Sequence, residues 1–336
     1  MVKQFNLARQ WAAKHAPGAL VCTVIALSAT FLSEHYGGPQ LLYALLIGLS
    51  FHFLMKNPQV KPGIDFCGRT VLRLGVALLG ARITLGQVAQ LGVESAVLIV
   101  SAVALTIGSG LLLAKFLGRS RDEGFLSGGA VAICGASAAL AVSSVLPQTK
   151  ANERFTLLTV VGVTVMSTLA MILYPFALKL MPLSAQQSGL FLGGTIHDVA
   201  QVVAAGMILG PQVGDTATVV KLFRVMLLMP VVVLIALAYR GNPEARAADE
   251  SVPLVPGFLL GFIVLVLLAS SGVVPKPLVI AATDASRWML VAAIAAAGVK
   301  TSFEELLKLG WKPVAMLVGE TVFIALWVLL GIWVLG

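Results

Sequence analysis

Apolar residues in this chain gather in long runs. Eleven stretches of 17 or more predominantly apolar residues follow one another, at roughly 17–33, 39–55, 64–82, 93–114, 124–146, 155–179, 186–209, 216–239, 254–274, 277–299 and 313–335. A run of that length is what a helix needs to cross the hydrocarbon core of a bilayer. Only short connections remain. The pattern predicts an all-α polytopic membrane protein, a single transmembrane domain over 1–336 with about eleven transmembrane helices and no separate soluble domain.

Two runs break their own pattern. Residues 124–147 carry Gly124, Gly128, Gly129 and Gly135, and their centre, Ile133 to Ala138, is small and weakly polar. Glycine costs about 1 kcal/mol per helix position relative to alanine, so these positions need a reason. Close helix packing is one. A helix broken near Cys134-Gly135, with backbone groups turned to a polar site, is the other. The second is favoured because residues 186–209 hold a matching stretch, Gly193-Gly194-Thr195-Ile196-His197-Asp198-Val199-Ala200-Gln201. Adjacent His and Asp cannot share one face of a regular helix. Cys134, Gly135, Ala136 and Ser137, with Thr195, His197, Asp198 and Gln201, are therefore candidate substrate-binding residues.

Charges within the apolar runs narrow the picture. Asp65, Arg69 and Arg73 recur at a spacing of four, a stripe on one helix face. Either Asp65 neutralises Arg69 and Arg73 bonds carbonyls, or Arg73 lines an anion pathway. Lys221 is expected to snorkel to the outer interface; Arg224, one turn further in, is the cation assigned to an anion site. Glu320 is a carboxyl within the last run. Ionisable groups inside a membrane are functional by default, so His197, Asp198 and Glu320 are candidates for ion coupling.

Composition agrees: 58% of the 336 residues are hydrophobic, 11% are charged and mean hydropathy is +0.96, against about 25% charged in soluble domains. The net charge of +8 would suit a polyanion partner, but its distribution argues otherwise. With the N-terminus inside, the inner connections hold fourteen Lys and Arg (3, 9, 14, 56, 61, 115, 119, 121, 179, 240, 246, 300, 308 and 312) and the outer ones four (82, 150, 154 and 276). That is the positive-inside asymmetry. It predicts a cytoplasmic N-terminus, a C-terminus on the outer side and no nucleic-acid partner. Residues 1–33 read as an uncleaved first helix. The three cysteines, Cys22, Cys67 and Cys134, lack any C-x-x-C spacing, so neither a disulfide framework nor a metal site is expected, and no cofactor motif is present.

Residue n resembles residue n+218: Arg69 and Arg287, Leu72 and Leu290, Ala77 and Ala295, Gly80 and Gly298, Thr84 and Ser302, Leu91-Gly92 and Leu309-Gly310. The charge-derived topology runs the two copies in opposite senses, as in the inverted repeats of secondary transporters, with segments near 64–114 and 277–335. Asp284 and Arg287 would then mirror Asp65 and Arg69. The central stretches 124–147 and 186–209 run parallel in this topology, which fits inversion badly unless one is a re-entrant hairpin.

The segments AICGASA, GGTIHDVAQVVAAG and KLFRVMLLMP, with LRLGVALLGARIT at residues 72 to 84, resemble the YeiH family of bacterial inner-membrane proteins, which is labelled as sulfate exporters. The resemblance covers nearly the whole chain and implies outward movement of sulfate or a related sulfur oxyanion or sulfonate. From the residues themselves, the leading reading is a secondary transporter of a small anion, coupled to H+ or Na+, not an enzyme, with the lipid bilayer and a homo-oligomeric arrangement as its partners. A cation/proton antiporter using Asp198 and Glu320 is the alternative. An intramembrane hydrolase is a remote one: Gly135-Ala136-Ser137-Ala138 resembles the G-x-S-G of rhomboid proteases, with His197-Asp198 to complete a triad.

Overall fold

A computed structural model describes residues 2–37, 39–89, 91–147, 149–239, 257–302 and 310–335. The longest connection, 240–256, and the segment with Lys308 lie outside them. The described residues are helical throughout, without strands: α1 (Val2–Tyr36), α2 (Gln40–Ser50), α3 (Lys61–Phe66), α4 (Leu72–Leu79), α5 (Leu85–Ala89), α6 (Gly92–Phe116), α7 (Arg121–Ala132), α8 (Ala136–Ser143), α9 (Lys150–Lys179), α10 (Ala185–Thr195), α11 (Val199–Leu209), α12 (Pro211–Met226), α13 (Leu228–Ala238), α14 (Gly257–Ser270), α15 (Lys276–Lys300) and α16 (Trp311–Leu335). Among the described residues, six stretches are long and apolar enough on their own to cross a membrane: 10–36, 92–116, 150–179, 211–238, 276–300 and 311–335. The chain is an all-α polytopic membrane protein, and it divides into two units, residues 1–87 with 257–301 and residues 88–256 with 302–336.

In the first unit α3 continues through a π-helical turn, Cys67–Val71, into α4, and this rod packs antiparallel to α15. Gly68 faces Ala296 and Lys300, Gly75 faces Met289 and Leu290, and the Ser286 hydroxyl donates to the Gly75 carbonyl at 2.6 Å. Gly80 and Gly298, equated by the offset of 218, admit exchanged neighbours: Gly80 lies against Phe262 of α14, and Gly298 against Leu45 and Gly48 of α2. Each copy thus packs on the helix that precedes the other copy, as a two-fold antiparallel pair does. The charges pair differently from the expected stripe. Asp65 binds Lys300 at 2.7 Å in place of Arg69, and Arg287 donates twice to Gln40 Oε1, at 3.0 and 3.1 Å. Arg73 sits on an exposed part of α4.

In the second unit the two glycine-rich stretches each fold back on themselves. α7 ends at Ala132, Gly135 adopts φ +64, and α8 begins at Ala136. A Cβ on Gly129 would lie 3.1 Å from Val142 Cγ2. Thirteen residues of continuous helix would separate those positions by about 20 Å, so α8 returns along α7. Its end arrives beside the start: Asn152 Nδ2 donates to Asp122 Oδ2 at 2.9 Å and to the Pro147 carbonyl at 2.8 Å. The second stretch does the same. Gly189 and Gly193 lie against Thr216 and Val220, so α10 runs parallel to α12, whereas Gly206 lies against Gly214, so α11 runs antiparallel to α12. The helix α9 fixes the direction of both. Thr156 and Ser143 hydroxyls lie 2.9 Å apart near its start, Gly135 faces Val163, Ser167 accepts from Asp198 N at 3.0 Å, and Tyr174 meets Phe191 edge-on with ring centroids 5.2 Å apart. Hairpin 1 (α7–α8) therefore enters from the N-terminal end of α9 and hairpin 2 (α10–α11) from its C-terminal end, and their tips meet beside Val163–Ser167. Both stretches are broken helices, as their composition predicts. Each arm has only 8 to 12 residues, about 12–18 Å, which is short of the roughly 30 Å hydrocarbon layer.

Candidate functional site

Two helix C-termini end at the tips with their carbonyls unpaired, and burying such groups without partners costs several kcal/mol in total. The helix α12 supplies the partners. Arg224, fully buried, donates Nε to Ala132 O (3.0 Å), Nη1 to Gly193 O (3.0 Å) and Ile196 O (3.1 Å), and Nη2 to Val131 O (3.0 Å) and Ala132 O (2.6 Å). All five N–H groups of the guanidinium are thereby engaged. Lys221, one turn away and also fully buried, donates to one carbonyl of each tip, Ile133 O at 2.6 Å and Ile196 O at 2.8 Å. The expected snorkelling of Lys221 is overturned, because α10 and α11 surround α12 where an isolated helix would meet the interface. The two cations occupy the negative ends of two helix dipoles, where positive charge is favoured.

The returning arms present the opposite ends. Gly135 is the N-cap of α8 and no side chain caps it, so the first amides of that helix face outward from the tip with Ala136 half-buried and Ser137 exposed. Asp198 caps α11 through Oδ1, which accepts from Ala200 N at 3.2 Å. Cys134 and Ala138 pack with Ala132, Ile133 and Val225 in one apolar cluster. Thr195 is buried and donates to Phe191 O at 2.7 Å.

The helix α16 touches both hairpins through adjacent residues. His197 lies 3.0 Å from Thr321 Oγ1, whose own hydrogen goes to Leu317 O at 2.6 Å. Glu320 accepts from Ser127 on the inward arm of hairpin 1 at 2.7 Å, in a cleft lined by Gly110, Gly124 and Gly128, where a Cβ on Gly110 would come within 2.8 Å of Oε1. His197 Nδ1, both amide atoms of Gln201 and Glu320 Oε2 are buried without hydrogen-bond partners among the described residues. Buried polar atoms are almost always paired, so these four stand out, together with the hydroxyls of Thr106 and Thr159.

Of the residues singled out from sequence, Cys134, Gly135, Ala136, Ser137, Thr195, His197, Asp198, Gln201 and Arg224 gather at the two tips, and Glu320 stands one residue from the one that contacts His197. Arg73 belongs to the other unit. His197 engages Thr321 through Nε2, so the Ser137–His197 pair that a hydrolase needs is not formed at that nitrogen. Lys221, Ser127 and Thr321 were missed by sequence reasoning. The spacing of Lys221 and Arg224, three apart and hence on one face, was the available signal for the first.

The chain matches the family described as Conserved hypothetical protein 698 over residues 17–317. A UPF0324 membrane protein of Chlorobaculum tepidum is 50% identical over 317 residues, covering 94% of this chain and 88% of that protein. The UPF0324 membrane protein TauZ of Paracoccus pantotrophus is 49% identical over 322 residues, 95% of each chain. A UPF0324 membrane protein of Bacteroides thetaiotaomicron is 30% identical over 328 residues, 94% of this chain and 95% of that protein. With hairpins, tips and α12 all inside the matched region, the chain belongs to the UPF0324 membrane protein family, in agreement with the resemblance carried by its motifs.

Proposed function

We propose that this protein is a secondary transporter of a small anion, sulfate or a related sulfur oxyanion or sulfonate, and that the substrate binds where the two hairpin tips meet. The observation that carries the reading is the pair of hairpins entering from opposite ends of α9 and meeting over Lys221 and Arg224. A polar site at mid-membrane between half-helices of opposite origin is the architecture of alternating access. Electrostatics favours an anion. Arg224 stays protonated and offsets the two helix C-termini, worth about half a charge each. With Lys221 charged, the N-termini of α8 and α11 set against Asp198 leave about one positive charge in excess. Arg224 acts by fixing this field, its N–H groups being committed to carbonyls, and the direct donors are the amides of α8 and Gln201.

The hairpins also revise the proposed topology. If each returns to the side it came from, nine stretches cross and two are re-entrant. Lys150 and Arg154 then join the inner side and Lys179 the outer, so the inner connections hold fifteen basic residues and the outer three. The asymmetry sharpens, the termini remain cytoplasmic and periplasmic, and hairpin 1 becomes the inverted counterpart of hairpin 2.

The test is uptake and exchange by the purified protein in proteoliposomes, with sulfate, sulfite and taurine as separate substrates and Na+ and pH gradients as separate driving forces. Saturable exchange of at least one of these anions is expected. Dissipation of a pH gradient by Na+, with no anion exchanged, would replace this reading by the cation/proton antiporter, the alternative that the buried, half-partnered carboxyl of Glu320 favours.

A further inference from the structure

The first unit holds a second polar feature, remote in sequence from the tips. Helices α1 and α3 touch backbone to backbone at Gly18 and Gly63: a Cβ on Gly63 would collide with the His15 carbonyl, and one on Gly18 with the Val60 carbonyl. Beside this contact lies an open cavity of about 630 Å³ lined by Trp11, Lys14, His15, Lys61, Asp65 and Arg69, among others. One wall is a cluster of three rings: Trp11 stacks on His15 with centroids 4.5 Å apart, and Phe66 meets both edge-on, at 5.1 and 5.6 Å. Asp65, the acid of the lining, is neutralised by Lys300 at 2.7 Å. Lys14, Lys61 and Arg69 have no carboxylate partner among the described residues. Three cations and no free acid thus face a space of the size that holds a small organic ligand.

We propose that this cavity binds the phosphate headgroup of an anionic phospholipid, such as phosphatidylglycerol or cardiolipin. The cations supply charge, Arg69 adds a fork suited to a phosphate, and the rings stand where amphipathic aromatics mark the membrane interface. That level is what favours a lipid over free phosphate: Trp11 and Lys14 lie at the beginning of the membrane-length stretch of α1, 10–36, and basic pockets at helix ends are favoured headgroup sites. By the positive-inside count, this end is cytoplasmic. The proposal is independent of what the hairpins transport.

The experiment uses the full chain, purified and delipidated in a neutral detergent, titrated with phosphatidylglycerol, cardiolipin, phosphatidylcholine or inorganic phosphate, and read by native mass spectrometry and by Tm. Retention of phosphatidylglycerol or cardiolipin over phosphatidylcholine is expected, with a rise in Tm, and each of Lys14→Gln, Lys61→Gln and Arg69→Gln should weaken binding about fivefold, all three together on the order of a hundredfold. Arg69→Lys, which keeps the charge but loses the fork, should bind more tightly than Arg69→Gln and more weakly than wild type, and guards against a folding artefact in the glutamine variants. Equal retention of phosphatidylcholine would overturn the proposal. So would a response to inorganic phosphate as large as that to the lipids, since the site would then take a free anion.

Discussion

The two hairpins do the same thing with different chemistry. Each runs inward, breaks and returns, and each inward arm surrenders its last carbonyls to Arg224 and Lys221. The tip of hairpin 1 is Ile133-Cys134-Gly135, with no charged side chain and a turn made by a glycine at φ +64. The tip of hairpin 2 is Ile196-His197-Asp198, with a side-chain cap and a histidine tied to α16. Tip 1 therefore offers bare backbone amides, and tip 2 offers groups that exchange protons. In the proposed transporter an anion would use the first kind of donor and coupling the second, and the asymmetry would divide binding from coupling.

Removing what the tips share should have the largest effect. Arg224→Leu would leave three buried carbonyls, those of Val131, Ala132 and Gly193, without their donor, each worth about 1–3 kcal/mol, and the variant should not accumulate as folded protein. Lys221→Met, which loses two bonds, should accumulate at reduced yield. Monodispersity of detergent-solubilised protein measures both. An Arg224→Leu protein as stable as wild type would mean that the tips hold together without the clamp.

The direction of the hairpins is the next target. Single cysteines at Lys115 and Lys150 should be labelled by an impermeant reagent from the same side, and a cysteine at Lys179 from the opposite one; the three native cysteines are buried and can be replaced beforehand. Labelling of positions 115 and 150 from opposite sides would make residues 121–147 a full crossing. The comparison also shows what the sequence could and could not convey. The breaks were legible, because glycine at 135 and an adjacent His-Asp pair have no comfortable place in a buried regular helix. The return was not, because Ala136–Ser143 is equally apolar whether it continues or doubles back. What betrayed it was faint: Lys150 and Arg154 sat on the sparsely charged side of the first topology, and an inverted repeat had no inverted partner for hairpin 1. Lys221 was misread for the same cause, since nothing local tells that two further helices wrap the end of α12.

Breaking the asymmetry from the side of tip 1 should stop transport without unfolding the protein. At φ +64 and ψ −125, a sparsely populated backbone region, a residue with a Cβ costs about 1–3 kcal/mol, and a side chain on Gly135 would also press on His197 and Val163, 3.5 and 3.6 Å from its Cβ. Gly135→Leu should insert normally and exchange no anion. Normal flux would reduce the glycine to a packing device. On the side of coupling, Glu320→Gln keeps the size and the Ser127 contact but carries no exchangeable proton. It should retain anion exchange while losing accumulation driven by a pH gradient, and loss of both would assign Glu320 to structure.

The smallest effect is expected at Asp198, where two roles of one side chain can be separated. Its Oδ1 caps α11 through Ala200 N, and its backbone N–H is held by Ser167. Capping by Asp or Asn is nearly equivalent, and replacement by alanine costs about 1 kcal/mol. Asp198→Ala should therefore lower stability by about that amount, measured by thermal denaturation, and Asp198→Asn should leave stability close to wild type. The negative charge is the remaining difference between Asn and Asp. If that charge restrains the anion at tip 2, Asp198→Asn should bind the transported anion more tightly, by a fewfold, and release it more slowly. Should Asp198→Asn match wild type in flux and affinity while Asp198→Ala is merely less stable, the residue is a helix cap and the burden of coupling falls on His197 and Glu320.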